Sequence, residues 1–233
     1  MVLLCAGARR QTDPGVGTAP AWRVGVEGGE TVVALAEAGE FAFELPRFNE
    51  LSNAVTAGLA TLDADGAWGR AGACLRARRA ELGEDWEVSL YASAMRLHAA
   101  AGTVRVSWLG GTQAWLLRGG AVIARTSPHT LGEERRRRGL PPAPNADRTD
   151  FILMRCLTPE DDPVPEQVTW GVRPGDRIVL LSSLLANRRG EARVIRAALL
   201  PNLVEAANDL LGAHEDGDPP VGLAVTVIDV GRS

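Results

Sequence analysis

The apolar residues of this chain change their spacing in blocks, and the order of the blocks is the strongest constraint on its fold. Alternation, or a short apolar run, predicts strands over residues 22–26, 31–36, 87–99, 103–109, 112–117, 121–125, 151–157, 167–172, 178–181 and 221–230. Helical spacing predicts helices over residues 48–62, 67–82, 192–200 and 203–211. Two segments rich in turn-forming residues, 7–20 and 128–150, are interpreted as a loop and a long excursion.

Helices and strands are segregated along the chain, which predicts an α+β fold and not a series of parallel βαβ units. Glycine pairs between the short strands are typical of the turns in an antiparallel meander. We therefore expect a four-layer α/β/β/α sandwich, in which two antiparallel sheets stack and a helix pair covers each outer face. A length of 233 residues suits a single domain over residues 1–233.

The composition of the chain argues against two classes of partner, nucleic acids and membranes. The net charge is −4 and the isoelectric point about 5.5, which argues against a general nucleic-acid binder, because such proteins are usually basic. No apolar stretch approaches the roughly 20 residues that span a bilayer, so no membrane partner is expected. Cys5, Cys74 and Cys156 lie far apart without metal-ligand spacing, as is typical of reduced thiols in the cytoplasm. A cytoplasmic protein is the resulting expectation.

Two segments carry most of the functional information. Residues 109–120 read L-G-G-T-Q-A-W-L-L-R-G-G, and residues 173–185 read R-P-G-D-R-I-V-L-L-S-S-L-L. The first resembles the GDSR hairpin, and the second the GDR…SDGL strand and turn, of the PPM-type (protein phosphatase 2C-like) metal-dependent serine/threonine phosphatases. The order of the motifs extends this resemblance over about residues 7–230. The resemblance implies the same four-layer sandwich.

The resemblance also implies where the family's metal-binding positions fall. They correspond to Asp13, Glu37, Gly111, Ser183 and Val221. Glu37 stands where the family has the Asp of its ADGMGG motif, and Ser183 replaces the Asp of SDG. Arg9 lies at the place of the family's phosphate-binding arginine. Residues 126–129, T-S-P-H, resemble the family's T-x-D-H segment.

The changes at these positions affect the chemistry directly. Mg²⁺ and Mn²⁺ prefer carboxylate and water oxygens, and a two-metal hydrolase needs several carboxylates to hold both ions. Ser183 is neutral, and the side chains at Gly111 and Val221 supply no donor atom. The sequence therefore predicts a degenerate, catalytically inactive domain, a pseudophosphatase, with no catalytic residue, bound metal or cofactor.

Two alternatives stay open beside this interpretation. One is a divergent but active phosphatase in which Glu37, Asp13 and Asp218 hold Mn²⁺ or Mg²⁺. The other is a structural subunit that uses the sandwich as an interaction surface. For the inactive domain we expect a regulatory or scaffold role and a protein partner: a kinase, a phosphoprotein or a subunit of an assembly.

Four consecutive arginines, Arg135, Arg136, Arg137 and Arg138, follow two glutamates within the excursion. Glu and Arg residues three or four positions apart stabilise a solvent-exposed helix, which is one interpretation of the run. The other is a docking patch for an acidic or phosphorylated protein, because guanidinium groups bind carboxylates and phosphates.

Aromatic residues and histidines have no comparable pattern. His98, His129 and His214 lack metal-ligand spacing and are interpreted as surface or hydrogen-bonded side chains. Trp108 and Trp115 flank the GDSR-like turn and are candidates to fill a cleft that metal ions have vacated.

Overall fold

The computed structural model describes residues 2–11, 21–27, 30–38, 48–61, 66–83, 89–143, 146, 152–188, 190–212 and 222–231. Its strands are β1 (Val2–Gln11), β2 (Ala21–Glu27), β3 (Glu30–Ala38), β4 (Leu90–His98), β5 (Thr103–Leu109), β6 (Gln113–Arg118), β7 (Ala121–Arg125), β8 (Glu166–Gly171), β9 (Arg177–Leu181) and β10 (Gly222–Gly231). Its α-helices are α1 (Phe48–Leu59), α2 (Ala67–Leu82), α3 (Leu131–Arg137), α4 (Ser183–Arg188), α5 (Glu191–Ala198) and α6 (Leu203–Leu211). None of the described helices is long and apolar enough to cross a membrane.

The strands form two five-stranded sheets. The first sheet has the order β1-β10-β9-β6-β7, and the second has the order β2-β3-β4-β5-β8. Every pair of neighbouring strands is antiparallel. The absence of parallel pairing among the described strands agrees with the sequence, in which helical and strand-like segments are segregated and no βαβ units were expected.

Alternation along the strands divides the apolar residues among three layers. On β3, Val33 and Leu35 belong to a core between the two sheets, whereas Ala34 and Ala36 pack on the side of α1 and α2. A third cluster lies between the first sheet and the helices α5 and α6. The four-layer α/β/β/α sandwich expected from the sequence is confirmed.

Parts of the sequence-based prediction were wrong. Residues 7–11, expected to be loop, belong to β1, because the backbone of this strand pairs with β10 as far as Gln11 opposite Gly222. Residues 151–157 were expected to be a strand, but their described part, residues 152–157, makes only isolated bridges, at Leu153 and Leu157. The helix α3 agrees with the interpretation of the arginine run as a solvent-exposed helix, whereas α4 was not predicted, since six residues are too few to show a helical period.

The buried residue Asp176, just before β9, links the adjoining ends of three strands of the first sheet, β6, β9 and β10. Asp176 is 1% exposed and accepts two hydrogen bonds from the Arg118 guanidinium, at 2.7 and 2.6 Å. The Arg173 backbone N–H donates to the same carboxylate, and the Val230 N–H donates to the Asp176 carbonyl. Burial alone would raise the pKa of Asp176, but the bonds from Arg118 and Arg173 outweigh burial and lower it.

We predict that Asp176→Asn lowers the free energy of unfolding by about 2–3 kcal/mol at pH 7, because a bidentate charged pair is lost. A carboxyl whose pKa is lowered by folding stabilises the fold above its unfolded pKa, and this contribution is lost as the pH falls through the folded value. The difference between variant and wild type in urea unfolding should therefore shrink on acidification. Glu191→Gln, which alters an exposed pair with Arg125, is the matched control and should change little. A difference that does not depend on pH would contradict this assignment.

Candidate functional site

Glu37 lies near the end of β3 and points between the two sheets. It follows Val33 and Leu35 at intervals of two, and these residues face the core between the sheets. The side chain is 4% exposed, and its Oε1 accepts a hydrogen bond of 2.5 Å from the backbone N–H of Ser183. The carboxylate therefore contacts the N-terminus of α4, where backbone N–H groups have no partner within the helix.

The turn between β5 and β6 packs directly on Ser183. A Cβ built on Gly111 would lie 2.6 Å from the Cβ of Ser183 and 3.6 Å from Cδ2 of Leu153. Real Cβ atoms do not approach carbon this closely, so an aspartate at residue 111 could not enter this backbone without displacing Ser183. The contact explains why this position takes glycine in this chain.

The structure thus brings three of the sequence-derived positions together, Glu37, Gly111 and Ser183. Arg9 lies on β1 opposite Ala224 of β10. Asp13, Val221 and Asp218 lie outside the described residues.

Sequence analysis missed a set of buried hydroxyl groups on the inner faces of the sheets near these positions. Ser93 pairs across the sheet with Leu35, Thr112 follows Gly111, and Thr226 pairs with Leu180. All three side chains are fully buried, and their hydroxyl oxygens have no hydrogen-bond partner in the part of the chain that the structure describes. Their alternation with core residues was the signal that could have identified them.

These donor groups do not fit a pair of Mg²⁺ or Mn²⁺ ions. Among Glu37, Gly111 and Ser183 there is one carboxylate, and it already accepts a hydrogen bond from the protein backbone. Neutral hydroxyl groups are poor replacements for carboxylates, because they do not balance the charge of two divalent ions. Within the described residues, no group of three or more His, Cys, Asp or Glu side chains could hold a metal.

The arginine run lies mainly on α3, whose N-terminus is capped by the Thr130 hydroxyl. Each guanidinium contacts an acceptor of the same chain: Arg135 the Pro141 carbonyl (2.7 Å), Arg136 Glu133 (2.7 Å), Arg137 Glu166 (3.2 Å) and Arg138 Glu134 (2.6 Å). Arg136 and Arg138 are the most exposed of the four, with 62% and 68% of their side chains accessible. These two remain the most accessible to another molecule.

The two tryptophans beside the turn have different environments. Trp108 lies in the core between the sheets, donates its indole N–H to the Ser127 carbonyl and stacks on His129. Trp115 faces the other way and packs between the first sheet and α5 and α6. The expectation that both tryptophans fill a vacated cleft is wrong for Trp115.

No protein-family model and no curated protein matches this sequence. Solved structures match it over nearly the whole chain. The Mycobacterium tuberculosis serine/threonine phosphatase PstP/Ppp superposes with a TM-score of 0.80 at 19% identity, covering 100% of both chains. MsPP from Mycobacterium smegmatis, a PPM Ser-Thr phosphatase in complex with cacodylate, gives a TM-score of 0.77 at 22% identity, covering 98% of each chain.

A third match is the catalytic domain of the phosphatase PstP in complex with two manganese ions. It gives a TM-score of 0.70 at 23% identity and covers 99% of this chain and 100% of that one. The chain has the fold of the PPM-type phosphatases. At these identities the PPM-type matches establish architecture, and the chemistry has to be argued from the residues of this chain.

The contact between Gly111 and Ser183 in this PPM-type fold gives a stability prediction. Gly111→Ala should lower the free energy of unfolding by about 1–3 kcal/mol, the usual cost of overpacking. The cost should be smaller when Ser183→Gly is also present, because the opposing Cβ is then absent.

A double-mutant cycle by urea unfolding measures this coupling. Gly171→Ala is the control, since a Cβ there meets no atom within 4 Å. An equal cost of Gly111→Ala in both backgrounds would show that the two residues do not oppose each other.

Proposed function

We propose that this chain is a catalytically inactive PPM-type domain that acts by binding a protein. The observation that carries the proposal is the hydrogen bond from the Ser183 N–H to Glu37, together with the close packing of Gly111 on Ser183. In our alignment of the motifs, these residues stand where the phosphatases have metal-binding carboxylates. Here the same positions contact one another.

The chemical argument follows from charge. Two-metal hydrolysis needs carboxylates that neutralise both ions and hold a water molecule in position for attack. Glu37 offers one negative charge, and neither Ser183 nor Gly111 adds another. A domain without this chemistry still offers its surface, and the proposed ligand is a kinase, a phosphoprotein or an assembly subunit in the cytoplasm.

A second candidate is a divergent active phosphatase, because the fold is shared with metal-dependent serine/threonine phosphatases. In that case Glu37, Asp13 and Asp218 would supply carboxylates to Mn²⁺ or Mg²⁺. A structural subunit of a larger assembly is the third possibility, and it shares with our proposal the lack of turnover.

Metal titration separates the first two candidates. We predict that isothermal titration with Mn²⁺ or Mg²⁺ shows no pair of micromolar sites, and that p-nitrophenyl phosphate is not hydrolysed. Two tight sites with turnover in the wild-type protein would favour the active enzyme instead.

Ser183→Asp with Val221→Asp should raise metal affinity only modestly, since the turn at Gly111 still packs on residue 183.

We further propose that the arginine run, Arg135 to Arg138, docks an acidic or phosphorylated partner. Reversal at Arg137 would be an unsuitable test, because this side chain pairs with Glu166 beside a buried histidine. Arg136 and Arg138 are more exposed, and their pairs with Glu133 and Glu134 lie within one helix turn.

Arg136→Glu with Arg138→Glu is expected to weaken binding to a partner identified by pull-down and mass spectrometry, most strongly at low salt. The melting temperature should change little, because exposed ion pairs contribute little to folding. Arg23→Glu with Arg196→Glu makes the same change of charge at other exposed positions and is the control. Equal loss of affinity in both double variants would indicate a net-charge effect and no docking patch.

A further inference from the structure

His129 is a buried histidine that the proposed function does not use. It lies just before α3 and is 6% exposed. Its ring stacks on the indole of Trp108, with centroids 5.9 Å apart and an angle of 15° between the planes. A buried imidazole needs partners for its polar atoms, and the identity of those partners determines what the residue can do.

On one side, His129 holds both polar backbone groups of Gly110. The Gly110 N–H donates to Nδ1 at 3.0 Å, and the His129 N–H donates to the Gly110 carbonyl at 2.9 Å. Gly110 has φ +89°, and a Cβ there would lie 2.6 Å from the ring of Tyr91. This turn therefore has a glycine-specific shape, and His129 supplies partners for both of its polar groups.

On the other side, His129 contacts the segment around Met154 and Arg155 and the edge strand β8. The Met154 N–H donates to the His129 carbonyl at 2.8 Å. The ring nitrogen Nε2 lies 3.4 Å from Oε1 of Glu166 and 3.4 Å from Nη1 of Arg155. One residue thus joins the Gly110–Gly111 turn to the segment around Met154 and to β8.

The hydrogen bond to Gly110 determines the protonation of the ring. A backbone N–H can only donate, so Nδ1 must be unprotonated and accept. The proton of the neutral imidazole is then on Nε2, where it faces the Glu166 carboxylate. A second proton on Nδ1 would place two donors against each other and leave the Gly110 N–H without an acceptor.

We propose that His129 is a proton-operated clasp, which holds the Gly110–Gly111 turn while its imidazole is neutral and releases the turn when Nδ1 takes a proton from solvent. Release reaches the candidate site directly, because Gly111 packs on Ser183 and Ser183 donates to Glu37. Acidification would therefore weaken the packing of Gly111 on Ser183. This inference is independent of the proposed function, since the clasp exists whether or not the domain is catalytic.

The charged groups around the ring set the direction of its titration. Arg155 and Glu166 face Nε2 directly, and Arg137, Glu133 and Glu134 line the rest of a pocket of about 150 Å³ beside it. Burial, followed by the positive charge of Arg155, lowers the pKa of His129, although Glu166 opposes the shift. The neutral ring is thus favoured by folding. Its contribution to stability is fully present above the ordinary value of 6.5 and is lost as the pH falls through the lowered folded value.

Amide hydrogen exchange at Gly110, measured by NMR and corrected for intrinsic rates, tests the clasp in the wild-type protein. The His129 ring is titrated in the same samples, between pH 8 and the lowest pH at which circular dichroism remains native. We expect protection of the Gly110 amide to fall about tenfold, the factor for loss of one ordinary hydrogen bond, with the midpoint of the ring titration. Protection at Val230, whose N–H bonds to the Asp176 carbonyl, should fall less than protection at Gly110, and an equal fall at both amides would indicate global unfolding and no local release.

His129→Asn provides the second arm. The Asn side-chain oxygen can accept from the Gly110 N–H near the position of Nδ1 but takes up no proton, so Gly110 protection should no longer depend on pH. His98→Asn, at a half-exposed histidine beside Glu30, is the matched control and should retain the wild-type pH dependence. If the ring titrates while Gly110 protection stays constant in the wild type, the clasp is excluded, and this result does not require the variant to fold. The same pH dependence in His129→Asn would also overturn it.

Discussion

Face-to-face packing of the two sheets is the constraint on which the rest of the structure depends. Side chains that alternate along β3, β6 and β9 fill the space between the sheets with apolar groups. A shift of one residue would exchange the two buried faces of a strand, for example Ile178 and Leu180 for Val179 and Leu181, and the side-chain volumes would no longer match either layer. The same register places Glu37, Gly111 and Ser183 together at one end of the sandwich, where the apolar core gives way to buried polar groups.

Much of this arrangement could be predicted, because it depends on periodicity. The inward direction of Glu37 follows from its spacing to Leu35, and the motif order located the turn at Gly111 and the strand before Ser183. What could not be predicted depends on contacts between distant segments. The hydrogen bond between Ser183 and Glu37 joins residues 146 positions apart, and no local pattern encodes it.

The segment after β7 shows that a strand-like or helix-like pattern in the sequence does not determine which contacts the segment makes in the fold. Residues 151–157 alternate like a strand, yet Leu153 packs toward Gly111 while Ile152 and Met154 are half exposed, and the pairing consists of isolated bridges.

The four arginines have the spacing of a helix with Glu–Arg pairs, and three of them do pair with glutamates of α3. A sequence pattern indicates which charges can meet, but burial and geometry decide which of them remain accessible to a partner.

A single buried carboxylate at Glu37 has a physical explanation that does not require catalysis. Several carboxylates around a site without metal ions would repel one another, and burial would raise their pKa values until some became protonated. A site with one carboxylate among neutral groups avoids this cost, and that carboxylate is tolerated if it accepts a strong hydrogen bond. The Ser183 N–H at the start of α4 supplies that bond. An acidic residue at this position is therefore compatible with a structural role and is not by itself evidence of a metal site.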